Sequence, residues 1–418
     1  MDSLLNTRRR RLLLGGLGLA GLTASALAAR RSPVLFNACR AALPPDLADH
    51  PLIHGAWAGL DPQQVWDVHT HLVGTGDSGS GVVVNPQMGS LLHPLQYAQR
   101  LFYLNAGCVH EAPPGQVDRA YVERLHNLMA GFPAGAKILL FAFDRFHDEA
   151  GHAVPERSTF YVPDAYAARI AREFPTGFEW AASIHPYRED CVAALDSAVA
   201  AGARAVKWLP AAMGIDPASP RCDAFYAALV RHDLPLITHA GEEKAVHGGN
   251  TQRFGNPLRL RRPMDQGVRV VVAHCASLGA DVDTDRGSNA GHVPSFTLFA
   301  RLMGEPAYER LLHADISALT QRNRQESVLR ALLEREEWHH RLLNGSDYPL
   351  PGIVPLASPK DFAARGMLAG EAVPVLTRLR EHNPLLFDFV LKRHLHSRGR
   401  RFADRVFATR SFFESKVP

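Results

Sequence analysis

Cysteine is scarce in this sequence. The five residues (Cys39, Cys108, Cys191, Cys222 and Cys275) are widely spaced and form no CxxC pair. That excludes a zinc ribbon and offers no disulfide framework, so the thiols read as small buried apolar side chains. Charge of one sign is scarce too. The formal net charge is +4, and Arg8, Arg9, Arg10 and Arg11 against Asp2 place three of those charges in the first 28 residues. The remaining body is near neutral and has no electrostatic footprint for a polyanion, which excludes nucleic acid as a partner. The basic stretches Arg259–Arg262 and Arg398–Arg401 read as solvated surface. Low-complexity tracts and internal repeats are absent, and so is a GxSxG nucleophile elbow.

What is present is an ordinary soluble composition, with 46% hydrophobic and 21% charged residues over 418 positions. The arginine cluster directly precedes an apolar, glycine-rich run from Leu12 to Ala28, and Ala26-Leu27-Ala28 fits a small-x-small cleavage site. Residues 1–28 therefore read as an export signal resembling the twin-arginine (Tat) type, which predicts a periplasmic or exported protein. The competing reading is an uncleaved membrane anchor. A run of about 17 residues with four glycines is short for a span, so no stable membrane anchor is expected. Phe36-Asn37-Ala38 is a poor lipobox, which argues against a lipid on Cys39. Residues 29–63, rich in Pro and Ala, read as an irregular lead-in.

Eight short apolar runs follow: Val65–His71, Lys137–Phe143, Phe178–His185, Ala203–Leu209, Leu234–His239, Val268–His274, Leu311–Ile316 and Arg341–Asp347. Several are continuously apolar, as parallel strands covered on both faces must be. Helix-compatible sequence separates them, as in Asp164–Glu173, Arg188–Ala201, Cys222–His232 and Arg324–Trp338. Eight strands alternating with helices predict an α/β fold, a (β/α)8 TIM barrel over residues 64–395 with a C-terminal tail at 396–418. An open doubly wound sheet is the competing architecture. Six of the runs end in or close to His71, His185, Lys207, His239, His274 and Asp347. Parallel strands point their C-terminal ends at one face, so these side chains converge on a single mouth, and an apolar core has no use for them there. The Gly- and Ser-rich stretch Leu72–Ser90 lies at that mouth and reads either as a lid or as a flexible surface loop.

Asp67-Val68-His69-Thr70-His71 closes the first run. Residues two apart on a strand share a side, so His69 and His71 can chelate one cation through neutral imidazole. Thr238-His239, Ala273-His274 and Gly345-Ser346-Asp347-Tyr348-Pro349 close the fifth, sixth and eighth runs. With this order of HxH, Lys, His, His and Asp, the chain resembles the amidohydrolase superfamily. The likeness is to its amidohydrolase-2 (aminocarboxymuconate-semialdehyde-decarboxylase-like) branch, from Trp66 to about Phe387, and includes the ending Asn383-Pro384-Leu385-Leu386-Phe387.

The resemblance implies that His69, His71 and Asp347 bind a metal and that Asp347 also takes a proton from the attacking water. It implies that His239 is a ligand or bridges to a second ion. It gives His274 the role of binding that ion or polarising the substrate carbonyl. Lys207 has two readings, a carboxylated bridge between two metals or an unmodified lysine beside one. An ammonium has no lone pair to give a metal. Zinc is the expected ion, one or two per chain, with manganese, iron or nickel also compatible with these ligands.

His185 and Arg188 are expected to bind substrate, Arg188 by pairing with a carboxylate, or else to belong to a local loop network. Glu242 and Glu243 read as solvated loop charge, and His339, His340, His394 and His396 as surface. The function expected is hydrolysis of an amide, cyclic amide, ester or lactone of a small molecule by metal-activated water. The alternatives are a metal-dependent non-oxidative decarboxylase of a small carboxylic acid and an exported, catalytically inactive binding protein. Whether the chain forms a homo-oligomer is left open.

Overall fold

In a computed structural model that describes residues 35–246, 250–287 and 289–414, all eight apolar runs form strands. They are β1 (Trp66–His71), β2 (Lys137–Phe141), β3 (Phe178–Ala181), β4 (Val206–Trp208), β5 (Leu236–His239), β6 (Val270–Ala273), β7 (Leu312–Asp315) and β8 (Leu342–Leu343). The first three pair in one parallel ladder and the other five in a second, in chain order. Backbone bonds cross both seams. Lys207 N–H donates to the Ala182 carbonyl (2.7 Å), Val68 N–H to Asn344 (3.0 Å) and His71 N–H to Tyr348 (2.9 Å). The strands thus surround a common interior, and an open doubly wound sheet is excluded.

Side-chain alternation divides the two faces. Val68, Leu139, Ala181, Ala205, Ile237, Val271 and Leu343 meet inside the barrel. Their neighbours Ile138, Leu140, Trp180, Val206, Trp208, Val270 and Val272 pack outward with the helices. Both faces are apolar, which is why the runs lack a polar alternation. The expected helix Asp164–Glu173 forms between those residues, and the others form inside the expected spans as Cys191–Ala200, Asp223–Arg231 and Glu326–Glu334. The last shows why: Val328, Leu329, Leu332 and Leu333 make one buried stripe.

Two expectations outside the barrel need correction. The lead-in is not irregular throughout, since Pro45–Ala48 and Pro51–Trp57 are helical. Proline suits a first helical position, and His50 caps the second helix by accepting the Leu52 N–H. Cys39 and Cys108 are not separate buried thiols but a disulfide, their Cα atoms 5.4 Å apart. Sequence spacing could not show it, because 69 residues separate them. The C-terminal tail forms the barrel floor. Thr409 Oγ1 accepts the Trp66 N–H and donates to the Trp66 carbonyl, and Phe413 stacks on Trp66. The expected export signal, 1–28, lies outside the described residues.

The loop after β1 is tied down. Asp118 accepts from Thr75 N–H, Gly76 N–H and the Ser80 hydroxyl, and Asp77 accepts from Gly115 and Val117 N–H. Gly74-Thr75-Gly76-Asp77-Ser78-Gly79 has the glycine spacing of a dinucleotide-binding turn. A strand, Val83–Val84, follows it where a helix would have to open, so the phosphate-binding context is missing.

Candidate metal centre

The first strand reaches the mouth through an irregularity. Asp67 lies opposite Ile138 and Thr70 opposite Leu140, so three steps on β1 match two on β2. This bulge turns the alternation over. Trp66 and Val68 face the interior below it, and His69 and His71 face the cavity above it. His274 and Asp347 are re-aimed by backbone conformation, with φ of 56° and 64°. Non-glycine residues seldom adopt this left-handed region and tend to do so at functional sites.

The result is a carboxylate shared among imidazoles. Asp347 Oδ1 lies 3.1 Å from His71 Nε2 and 3.5 Å from His69 Nε2, and Oδ2 lies 3.9 Å from His274 Nε2. Donor atoms of His69, His274 and Asp347 all fall within 4.8 Å of one another. His71 flanks this trio, and His239 stands beyond His274 with ring centres 5.4 Å apart. His239 Nε2 faces Glu243 at 3.3 Å.

A supporting pair of residues absent from the sequence reading fixes two imidazoles. Asp315 Oδ2 holds His69 Nδ1 at 2.8 Å, and Ser317 Oγ holds His274 Nδ1 at 2.7 Å. The Ser317 hydroxyl donates to Asp315 Oδ1, so its oxygen accepts from His274 Nδ1–H. This network assigns the proton to Nδ1 of both rings and leaves each Nε2 lone pair aimed inward. Burial holds both rings well below the usual histidine pKa, aided by the nearby Lys207 charge for His69 and the Arg324 charge for His274. Burial likewise lowers His239 to about 4, against the pull of Glu243. Neutral imidazoles beside a buried carboxylate are the donor set a divalent cation requires, so the residues fit a metal.

Lys207, on β4, reaches the same centre. Its Nζ is 3.3 Å from His69 Nε2 and 4.8 Å from the Phe141 ring centre. Burial lowers its pKa to about 8, opposed by Asp315, Asp347 and Glu243. All six expected metal-site residues line one cavity of about 390 Å³, walled mostly by apolar groups such as Phe102, Phe143, Phe160, Leu278 and Ile353.

His185 and Arg188 are not in that wall, which favours their second reading, a local loop network, over substrate binding. His185 is fully buried, with Nε2 on the Met213 carbonyl and Nδ1 accepting from Tyr187 N–H. Arg188 is spent on Asp144 and Asp190. Glu243 is no solvated loop charge but a buried carboxylate facing His239. His339 is buried on the Leu332 carbonyl rather than at the surface. Asp315 and Ser317 had a legible signal, a polar alternation closing the seventh run. Arg324 lay at the start of a predicted helix and gave none.

A model of the amidohydrolase family matches residues 66–366. Among solved structures, the chain is similar to an uncharacterised TIM-barrel protein from Bordetella bronchiseptica. Identity is 16%, over 75% of this chain and 98% of that one, at a TM-score of 0.44. It is also similar to a Pseudomonas putida protein assigned as a 2-pyrone-4,6-dicarboxylic acid hydrolase (16% identity, 78% and 97% coverage, TM-score 0.42). A third is the 2,6-dihydroxybenzoate decarboxylase from Rhizobium (12% identity, 77% and 98% coverage, TM-score 0.40). No curated protein matches the chain. With the family model spanning well over half its length, the chain belongs to the amidohydrolase family, a group of metal-dependent enzymes built on the (β/α)8 fold.

Proposed function

We propose that this protein is a metal-dependent hydrolase of an amide, cyclic amide, ester or lactone of a small molecule. The observation that carries this reading is the Asp347 carboxylate. It contacts His69, His71 and His274 at the mouth of an apolar cavity. His69, His274 and Asp347 would hold the ion, with His71 and His239 beside them, and zinc suits this set best, before manganese, iron or nickel. When bound, a divalent cation supplies Lewis acidity and lowers the pKa of its water toward about 7. Asp347, with two oxygens on different imidazoles, is placed to take the proton of the attacking water and pass it to the leaving group. His274 serves as a ligand or proton acceptor rather than a donor to the carbonyl, because its proton is engaged at Ser317. The apolar wall excludes competing water.

The test is to strip metal from the purified protein, reload it with zinc or manganese, and screen lactone, amide, ester and carboxylated aromatic panels. Hydrolysis restored by metal is expected. Carbon dioxide release without water consumption would sink the hydrolase reading in favour of a decarboxylase. Metal counting belongs to the same experiment, since full activity at one ion per chain would exclude a carboxylated Lys207 bridge.

The Cys39–Cys108 disulfide supports export, because such bonds persist in oxidising compartments and not in a reducing cytoplasm. Cell fractionation with mass spectrometry should find the protein outside the cytoplasm, lacking residues 1–28 and with these two thiols blocked. Recovery from the cytoplasm with both thiols free would defeat that assignment.

A further inference from the structure

Among the described residues, Arg324 differs from the other guanidiniums of this protein that lie away from bulk solvent in having neither a carboxylate nor a close carbonyl. Arg124 and Arg341 also leave a buried Nε without a partner, but Arg124 is held by the Arg40 and His382 carbonyls and Arg341 by the Met303 carbonyl and Glu309. Arg188, Arg259, Arg261, Arg269 and Arg301 each meet a carboxylate, and Arg380 is held by the carbonyls of Val354 and Ala357. Arg324 lines the cavity and, among the described residues, has no ion pair. Its one side-chain bond is to Ser277 Oγ at 3.5 Å, the limit for such a contact, and its buried Nε has no partner. An unpaired buried donor on a cation is destabilising, because the water it gave up on burial has not been replaced.

Helix stability gives no reason to keep it there. Arg324 directly precedes Gln325, the cap of helix Glu326–Glu334. Helix N-termini favour anions, so a cation at this end is disfavoured locally. An anion seated against Arg324 would receive both the guanidinium fork and the positive end of the helix. Geometry places the group toward the metal centre, because Arg324 shares one cavity wall with His239, Glu243, His274 and Asp347.

We propose that Arg324 is the anion-recognition residue of this cavity, so that the substrate is a small apolar molecule bearing a carboxylate or similar anionic oxygen group. The inference rests on the hydrolase reading for the word substrate, but the site itself does not depend on turnover. The apolar walls would take the body of such a molecule and Arg324 its charged end.

The test is calorimetric titration of the metal-replete full chain with 3-phenylpropionate and with neutral 3-phenylpropanol. Wild type should bind the acid at least about tenfold more tightly. Arg324→Met should lose about 10- to 100-fold in acid affinity while holding the alcohol within about twofold, and Arg324→Lys should recover part of the loss. Equal binding of acid and alcohol by wild type would overturn the assignment. So would an acid preference that survives in Arg324→Met, since it would then come from the metal. Loss of alcohol binding in both variants would make Arg324 a structural residue and overturn it as well. Because binding is read without turnover, a hydrolase reading that fails its own panel leaves this result interpretable.

Discussion

At the N-terminal end of the strands, Glu179 on β3 accepts from both Lys137 (2.7 Å) and Arg204 (2.8 Å), and Arg269 is tied to Asp233 and the Phe412 carbonyl. Phe413 closes this floor by stacking on Trp66. At the C-terminal end the same strands crowd imidazoles and an ammonium around Asp347, and Arg324 stands without a carboxylate of its own. The floor carries charge that is paired and capped, and the mouth carries charge awaiting a partner. Charge at one end of a barrel therefore says little until its pairing is known. What marks the mouth as functional is the surplus of positive and neutral donors over carboxylates, which a cation and an anionic ligand would together resolve.

The comparison breaks if mouth substitutions behave like floor substitutions. The largest expected effect is Asp347→Asn, which should lower kcat on the best substrate of the panel by about 10²- to 10⁴-fold. Its melting temperature should stay close to wild type, and near-normal turnover would remove Asp347 from the mechanism. Asp315→Asn acts one step back, through the His69 and Ser317 bonds, and should weaken zinc affinity by about 10- to 100-fold. A competitive chelator titration reads this directly, and unchanged affinity would reduce Asp315 to a structural role. The smallest effect on chemistry belongs to the floor. Phe413→Ala should cost about 3–5 kcal/mol of stability by denaturant unfolding, with kcat per folded molecule preserved. A matching loss of kcat would show that floor and mouth are not separable.

The positions of the strands were legible because continuous apolar runs are a local signal of strands covered on both faces. The mouth was legible because polar residues at strand ends have no packing explanation. His185 and Arg188 passed the same filter and failed in space. Met213 and Tyr187 engage the two ring nitrogens of His185, and Asp144 and Asp190 engage the Arg188 guanidinium; nothing in the local pattern distinguishes that from a ligand site. The disulfide and the buried Glu243 were illegible for a related reason, since each depends on a contact made by folding.

The amino-acid order by itself determined the eight-stranded plan, the histidines and aspartate at its rim, and the near-neutral charge of the body, because burial period and composition are properties of short windows. Only the tertiary structure decided how those groups are aimed. A one-residue bulge between β1 and β2, left-handed turns at His274 and Asp347, and a carboxylate on β7 set the donors inward. The physical reason is that strand register and hydrogen-bond partners are fixed between segments far apart in the chain, where no local pattern reaches.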